Sequence, residues 1–188
     1  MKKLFALLLC LTTAVLFLPG AIAEEDELDV FAYTIEALDE TIYIPENMTV
    51  TNETDSDTGV ALTLALNGRS DCGFAIDISY SEAYEGYSML SMPDDMRQQM
   101  IDFYAQNYPG ENEPSIVEFD GDFADYADLS PLIAAGKGSD GNLYCIYVTV
   151  YDGYIFTVSG AIAADEFDYD SYSALYLLYW QTMDLLIG

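Results

Sequence analysis

Hydrophobic and polar positions along this chain fall mostly into short alternating runs broken by Asp, Asn, Gly and Pro. Two stretches switch to a helical rhythm. The strongest strand signal lies over residues 142–161. Leu143-Tyr144-Cys145-Ile146-Tyr147-Val148-Thr149-Val150 and Ile155-Phe156-Thr157-Val158-Ser159 are β-branched and aromatic runs, joined by Tyr151-Asp152-Gly153-Tyr154. Asp-Gly is the pair that a two-residue hairpin turn asks for, because both positions take positive φ. That turn sets the register: Tyr151 faces Tyr154, Val150 faces Ile155, Thr149 faces Phe156 and Tyr147 faces Val158. Leu143, Cys145, Tyr147, Phe156 and Val158 then share one face, and Tyr144, Ile146, Val148, Val150 and Ile155 the other. A ribbon apolar on both faces belongs in the middle of a sheet with cover on each side.

The rest of the pattern surrounds this hairpin with weaker signals. Residues 28–36 alternate as a strand with Phe31, Tyr33 and Ile35 on one face, and Leu38-Asp39-Glu40 turns the chain into a return strand, Thr41-Ile42-Tyr43-Ile44, ended by Pro45. Residues 48–51 read as a short strand and 52–59 as a polar loop. Residues 60–66, with Val60, Leu62, Leu64 and Leu66 on one face, pair with residues 74–80 as a second hairpin. Residues 82–88 are tyrosine-rich and irregular, and read as a loop. A helix is predicted over residues 93–107. Ser91 and Asp94 have capping-box spacing, Pro93 suits the first turn, and Pro109-Gly110 stops it. Its apolar stripe is Met96, Met100, Phe103 and Tyr104, which reads first as core filling and second as an adaptable binding surface.

Residues 115–119 read as a short strand, 123–135 as either a further strand pair or an insertion, and the glycine-rich 136–141 as a turn. No strand-to-helix context follows those glycines, so they make no phosphate loop. A last helix is predicted over residues 172–187, apolar on most sides, and therefore covered either by loops or by a second copy of the chain.

The amino terminus changes the picture from fold to address. Lys2 and Lys3, the apolar run to Leu18 and the small residues Pro19-Gly20-Ala21-Ile22-Ala23 form a secretory signal, so residues 1–23 are expected to be cleaved and residues 24–188 to fold as a single α+β domain. The run falls short of the roughly 20 apolar residues that cross a bilayer. The expected location is secreted or extracellular, or the cell envelope if the signal is retained. All 33 acids follow the signal, with only Arg69, Arg97 and Lys137 to oppose them, giving the mature chain a charge of about −30. Such a charge excludes nucleic acid and, after cleavage, membrane as partners. It leaves a solvated surface or the binding of cations and basic partners. A 52% hydrophobic content supplies enough to bury.

The candidate chemistry is thin. No histidine is present, which removes the commonest general base, Ser-His and Cys-His nucleophiles and histidine-ligated zinc. Cys72 and Cys145, the two cysteines beyond the signal, permit a disulfide if their strands are neighbours or face each other across layers, and are otherwise two buried thiols. Carboxylates remain. A pair could serve as acid and base on a glycosidic bond, in a cleft where tyrosines and Trp180 stack a sugar. Alternatively Asp120, Asp122 and Asp125 with Asp128, or Asp165, Asp168 and Asp170, could gather oxygen ligands for calcium, although neither group fits the EF-hand loop. Asp168 or Asp170 also suits the N-cap of the last helix. The sixteen tyrosines, against nine phenylalanines, point instead to contact through an acidic, tyrosine-rich surface.

The order of elements, with a strand pair ending at Ile44-Pro45-Glu46-Asn47-Met48, then strands, one helix, and a hairpin feeding a carboxy-terminal helix, resembles the PsbP-like superfamily and small exported proteins of Gram-positive bacteria that share its fold. The resemblance implies an α-β-α sandwich, a central antiparallel β-sheet with a helix on each face, and an accessory or partner-binding role with no catalytic residue. The expected function is thus an exported acidic binding or accessory module for a protein or glycan partner. A carboxylate-based glycoside hydrolase and a calcium-binding surface protein are the alternatives, and a homo-oligomer through the last helix is open.

Overall fold

The structure, a computed structural model, describes residues 29–163 with the exception of 37, 68, 70 and 71; the side chains of residues 122 and 123 are likewise not described. The expectations placed on the signal at 1–23, on Asp165, Asp168 and Asp170, and on the helix at 172–187 lie outside the described residues.

Nine strands and one α-helix are described. They are β1 (Val30–Ile35), β2 (Glu40–Pro45), β3 (Met48–Ser56), β4 (Gly59–Leu66), β5 (Gly73–Tyr80), α1 (Asp94–Asn107), β6 (Ser115–Ile116), β7 (Leu132–Lys137), β8 (Leu143–Tyr151) and β9 (Tyr154–Ile162), with short 3-10 segments at Glu82–Tyr84 and Gly121–Leu129. Strands β3 to β9 form one antiparallel sheet in the order β3-β4-β5-β9-β8-β7-β6, and β1-β2 a separate two-stranded ribbon. The β8-β9 hairpin sits mid-sheet in the register its turn dictates: Tyr151 opposite Tyr154, Val150 opposite Ile155, Thr149 opposite Phe156 and Tyr147 opposite Val158. Asp152 and Gly153 have φ of 46° and 89°, the doubly positive turn that the Asp-Gly pair supplies.

Each face of the hairpin is buried in its own core. On one side Tyr147, Phe156 and Val158 join Leu62, Leu64, Phe74 and Ile76 of β4 and β5, together with Ile35, Ile42 and Ile44 from the β1-β2 ribbon and Phe119 and Leu129 from the connection before β7. On the other, Val148, Val150 and Leu132 pack with Met89, Met92 and Met100, flanked by Met96, Ile101 and Tyr104 of α1. The methionine stripe is therefore core at Met96 and Met100, while Phe103 at the far end of the stripe is 60% exposed. The architecture is α+β with a large antiparallel sheet. Among the described residues one helix covers one face, and on the other the cover is the β1-β2 ribbon and the 121–129 segment.

Three local expectations change. The polar residues 52–56 are not a loop: β3 runs on to Ser56, bulged between Val50 and Asn52, because an edge strand needs ladder partners on only one side and tolerates polar side chains facing water. Ser91 does not cap α1. The N-cap is Pro93, without a side-chain bond, and the Ser91 hydroxyl instead accepts from the Ser88 amide at 2.7 Å, holding the turn that buries Met89 and Met92. Asp94 and Asp95 still place negative charge at the positive end of the helix dipole. Finally Gly136 and Lys137 belong to β7, and the turn into β8 begins at Gly138.

Candidate functional site

Two surfaces stand out from the solvated acidic exterior, and the β8-β9 hairpin joins them: one lies at its turn and the other near its open end.

At the turn, the register of β8, β9 and β5 places Tyr151 opposite Tyr154 and Tyr154 opposite Tyr80, so the three rings form a cross-strand row on one face. They are 38%, 44% and 37% exposed. Tyr80 and Tyr154 meet edge to face with centroids 5.2 Å apart, and Tyr154 leans on the buried Phe156 at 6.0 Å. The backbone beneath is locked. Ser81 N donates to Gly153 O (2.8 Å), Asp152 N to Tyr87 O (2.9 Å), Gly153 N to Tyr84 O (3.0 Å), and Gly86 N to the Asp152 carboxylate (2.9 Å). The segment that reads as an irregular tyrosine-rich loop is thus the clamp on the hairpin turn. Desolvation raises the Tyr80 hydroxyl pKa, and the nearby carboxylates Glu85, Glu82 and Asp152 push it further. Three aromatic faces carried on a hydrogen-bonded backbone and rimmed by acids are suited to stacking against a cationic group.

Near the hairpin's open end, between α1 and the sheet, lies a cavity of about 490 Å³. Its floor is built from small residues of paired strands: Gly73 opposite Ala161 and Ala75 opposite Ser159, with Thr63 beyond Ala75 on β4. Its walls are Phe103, Tyr104 and Tyr108 from the end of α1, with Tyr144 and Ile146 from β8. The Tyr108 hydroxyl donates to the Tyr144 carbonyl at 2.8 Å, and the Tyr104 hydroxyl shares a 3.2 Å hydrogen bond with Thr157. Burial raises the pKa of both phenols, with Cys145 and Glu111 adding to the rise at Tyr108.

Cys72 and Cys145 are separate buried thiols. Strand β9 runs between their strands, with Gly160 facing Cys145 on one side and Phe74 on the other, so the condition that the two strands be neighbours is not met. Two strand spacings, about 10 Å, exceed the reach of a disulfide between Cα atoms. Burial pushes the Cys145 thiol pKa up to about 12, which leaves it an inert thiol at neutral pH. Asp120 precedes the 3-10 segment that carries Asp122, Asp125 and Asp128, and Asp128 accepts from the Ser88 hydroxyl at 3.2 Å. Among the described residues no group of three or more Asp, Glu, Cys or His is placed to hold a metal ion. Among the described residues no carboxylate lines the cavity. No described helix is long and apolar enough to cross a membrane.

The turn alone sets Tyr151 opposite Tyr154, so part of the first surface is written in the local sequence. Tyr80 joins them through the β5-β9 pairing, which links residues more than 70 apart in the chain. The cavity had a fainter signal: the small residues Ser159-Gly160-Ala161 at the end of a strand that is otherwise bulky.

No family model matches the chain. No curated protein matches it either. Among solved structures, the chain is similar to the solution structure of cyanobacterial PsbP (CyanoP) from Synechocystis sp. PCC 6803, at 13% identity and a TM-score of 0.42, covering 87% of this chain and 96% of that one. At that degree of superposition the likeness carries no statement about activity or partner, and the α+β architecture stands on the strand order itself.

Proposed function

We propose that the chain is an exported binding module that docks a cationic partner, a lysine- or arginine-rich protein segment, on the row Tyr80, Tyr151 and Tyr154. The observation that carries this reading is the row itself, held at a backbone-locked turn with Glu82, Glu85 and Asp152 around it. Preorganised rings lose little entropy on binding, and each cation stacked on an exposed tyrosine is worth about 0.5–1 kcal/mol. The net charge of −28 steers basic partners toward the surface and repels acidic ones. The leader-like first 23 residues support export.

Calorimetric titration with a short arginine-rich peptide, beside a peptide of the same length carrying glutamates, tests this. The arginine peptide should bind and the glutamate peptide should not. Binding should weaken several-fold between low and physiological salt, and Tyr154→Ala should weaken it by roughly two- to fivefold. Equal binding by wild type and Tyr154→Ala would remove the tyrosine row from the account. Binding of a neutral oligosaccharide, indifferent to salt and lost in Tyr154→Ala, would move the ligand class to glycans.

A further inference from the structure

We infer that the cavity between the end of α1 and the sheet is a second binding site, for a neutral molecule bearing a flat apolar group. This site is separate from the tyrosine row and does not depend on the cationic partner. A volume of about 490 Å³ falls within the range of small-molecule pockets, about 300–1,000 Å³. Three features of the lining set the chemical class.

The first is charge. Among the described residues none of the lining is acidic or basic, although the chain carries 33 acids. An anion would meet the field of the surrounding carboxylates, and a cation would leave water for a wall without a counter-charge. A neutral ligand meets neither penalty.

The second is the state of the polar groups. The three tyrosine hydroxyls are already engaged, Tyr108 on the Tyr144 carbonyl, Tyr104 on Thr157 and Tyr144 on the Asp140 carboxylate. The Asn107 side-chain amide donates to the Phe103 carbonyl at 2.7 Å. Those side chains therefore offer apolar faces to the space. Among the described residues the Thr63 and Ser159 hydroxyls are the remaining polar side chains of the lining, enough to orient a ligand and too few to hold a strongly polar one.

The third is shape. Small side chains form the floor and aromatic rings stand over it, so a planar group would lie with one face on Gly73, Ala75 and Ala161 and meet the rings of Phe103, Tyr104 and Tyr108. Gly73 is not a conformational necessity: a Cβ there would meet nothing closer than the Leu64 carbonyl at 3.7 Å, and its φ is not positive. The backbone would accept a side chain at this point, and among the described residues nothing fills the space. Phe103, 60% exposed on the rim and edge to face with Tyr104 at 5.1 Å, would be covered by an occupant.

The neutral fluorophore N-phenyl-1-naphthylamine is the probe, with its anionic relative 1-anilinonaphthalene-8-sulfonate as the charge control. The neutral probe should give a saturable fluorescence rise with one site per chain, and the anionic one should bind at least roughly tenfold more weakly. Ala161→Leu, which projects into the floor, should weaken the neutral probe at least roughly tenfold with the melting temperature kept. Phe103→Ala, at an exposed position that leaves the core intact, should weaken it several-fold. Tyr154→Ala should leave it unchanged. A rise that never saturates, equal binding by Ala161→Leu and Phe103→Ala, or loss in Tyr154→Ala would each overturn the inference. So would a concentration-dependent dimer that the probe dissociates, because a second copy would then be the occupant.

Discussion

The two ends of one hairpin face the same helix and are packed by opposite rules. Toward the turn, Val148, Val150 and Ile155 meet Met89, Met92, Met96 and Met100, and the layer closes without a described gap. Toward the open end, the strands present Gly73, Ala75, Ser159 and Ala161, the helix presents aromatic rings, and the layer stays hollow. Strand spacing and helix geometry are nearly constant along such a layer, so side-chain volume alone decides whether it is a core or a cavity. A domain that needs both stability and a ligand site can divide them along a single ribbon.

The sharpest way to break this comparison is to hollow the packed end. Met100→Ala removes a side chain that is 5% exposed, and should cost about 2–5 kcal/mol in urea unfolding. A cost below about 1 kcal/mol would mean that the packed end is no tighter than the other. Next comes the turn beside the packed end. Gly153 has φ of 89°, and a Cβ there would stand 2.5 Å from the Tyr80 ring. Gly153→Ala should therefore lower stability by about 1–2 kcal/mol through backbone strain alone, and should disturb the tyrosine row enough to weaken the arginine peptide. Retained binding and an unchanged unfolding midpoint would contradict the locked turn.

At the hollow end the expected effects are smaller. Tyr108→Phe removes the hydroxyl that donates to Tyr144, at a cost of about 0.5–1.5 kcal/mol near neutral pH. Burial holds the folded phenol above its ordinary pKa, so its contribution is fully present below about pH 10 and lost as pH climbs through the raised folded value. Melting curves between pH 8 and pH 12 should accordingly converge between wild type and Tyr108→Phe at the alkaline end; curves that run parallel would show that the phenol does not titrate with unfolding. The smallest effect belongs to Ala75→Leu. Filling an empty space should move stability by less than about 1 kcal/mol in either direction, whereas the same added volume in a packed core costs about 1–3 kcal/mol. A loss of the larger size would show that the hollow end has no room to fill.

Hairpin, register and core were legible because their causes are local. An Asp-Gly turn and an alternating pattern act over a few residues, and they correctly put Tyr147 and Val148 on opposite faces of a buried ribbon. The strand at residues 52–56 escaped because its pairing with β4, not its own polar composition, holds it extended. The helix cap escaped because Ser91 found a nearer partner in Ser88. Phe103 read as part of the core stripe, but the strands it faces lack the bulk to close over it.

The sequence by itself determined the acidity, the lack of histidine chemistry, the two-faced hairpin and the pairing of Tyr151 with Tyr154. Tertiary structure alone decided that Tyr80 completes the row, that β9 keeps Cys72 and Cys145 apart, and that four small residues meet the end of α1 over an open space. The physical reason is range: turn chemistry and periodicity are written in neighbouring residues, whereas a row of rings, a separation of thiols and a cavity depend on which distant strands lie side by side.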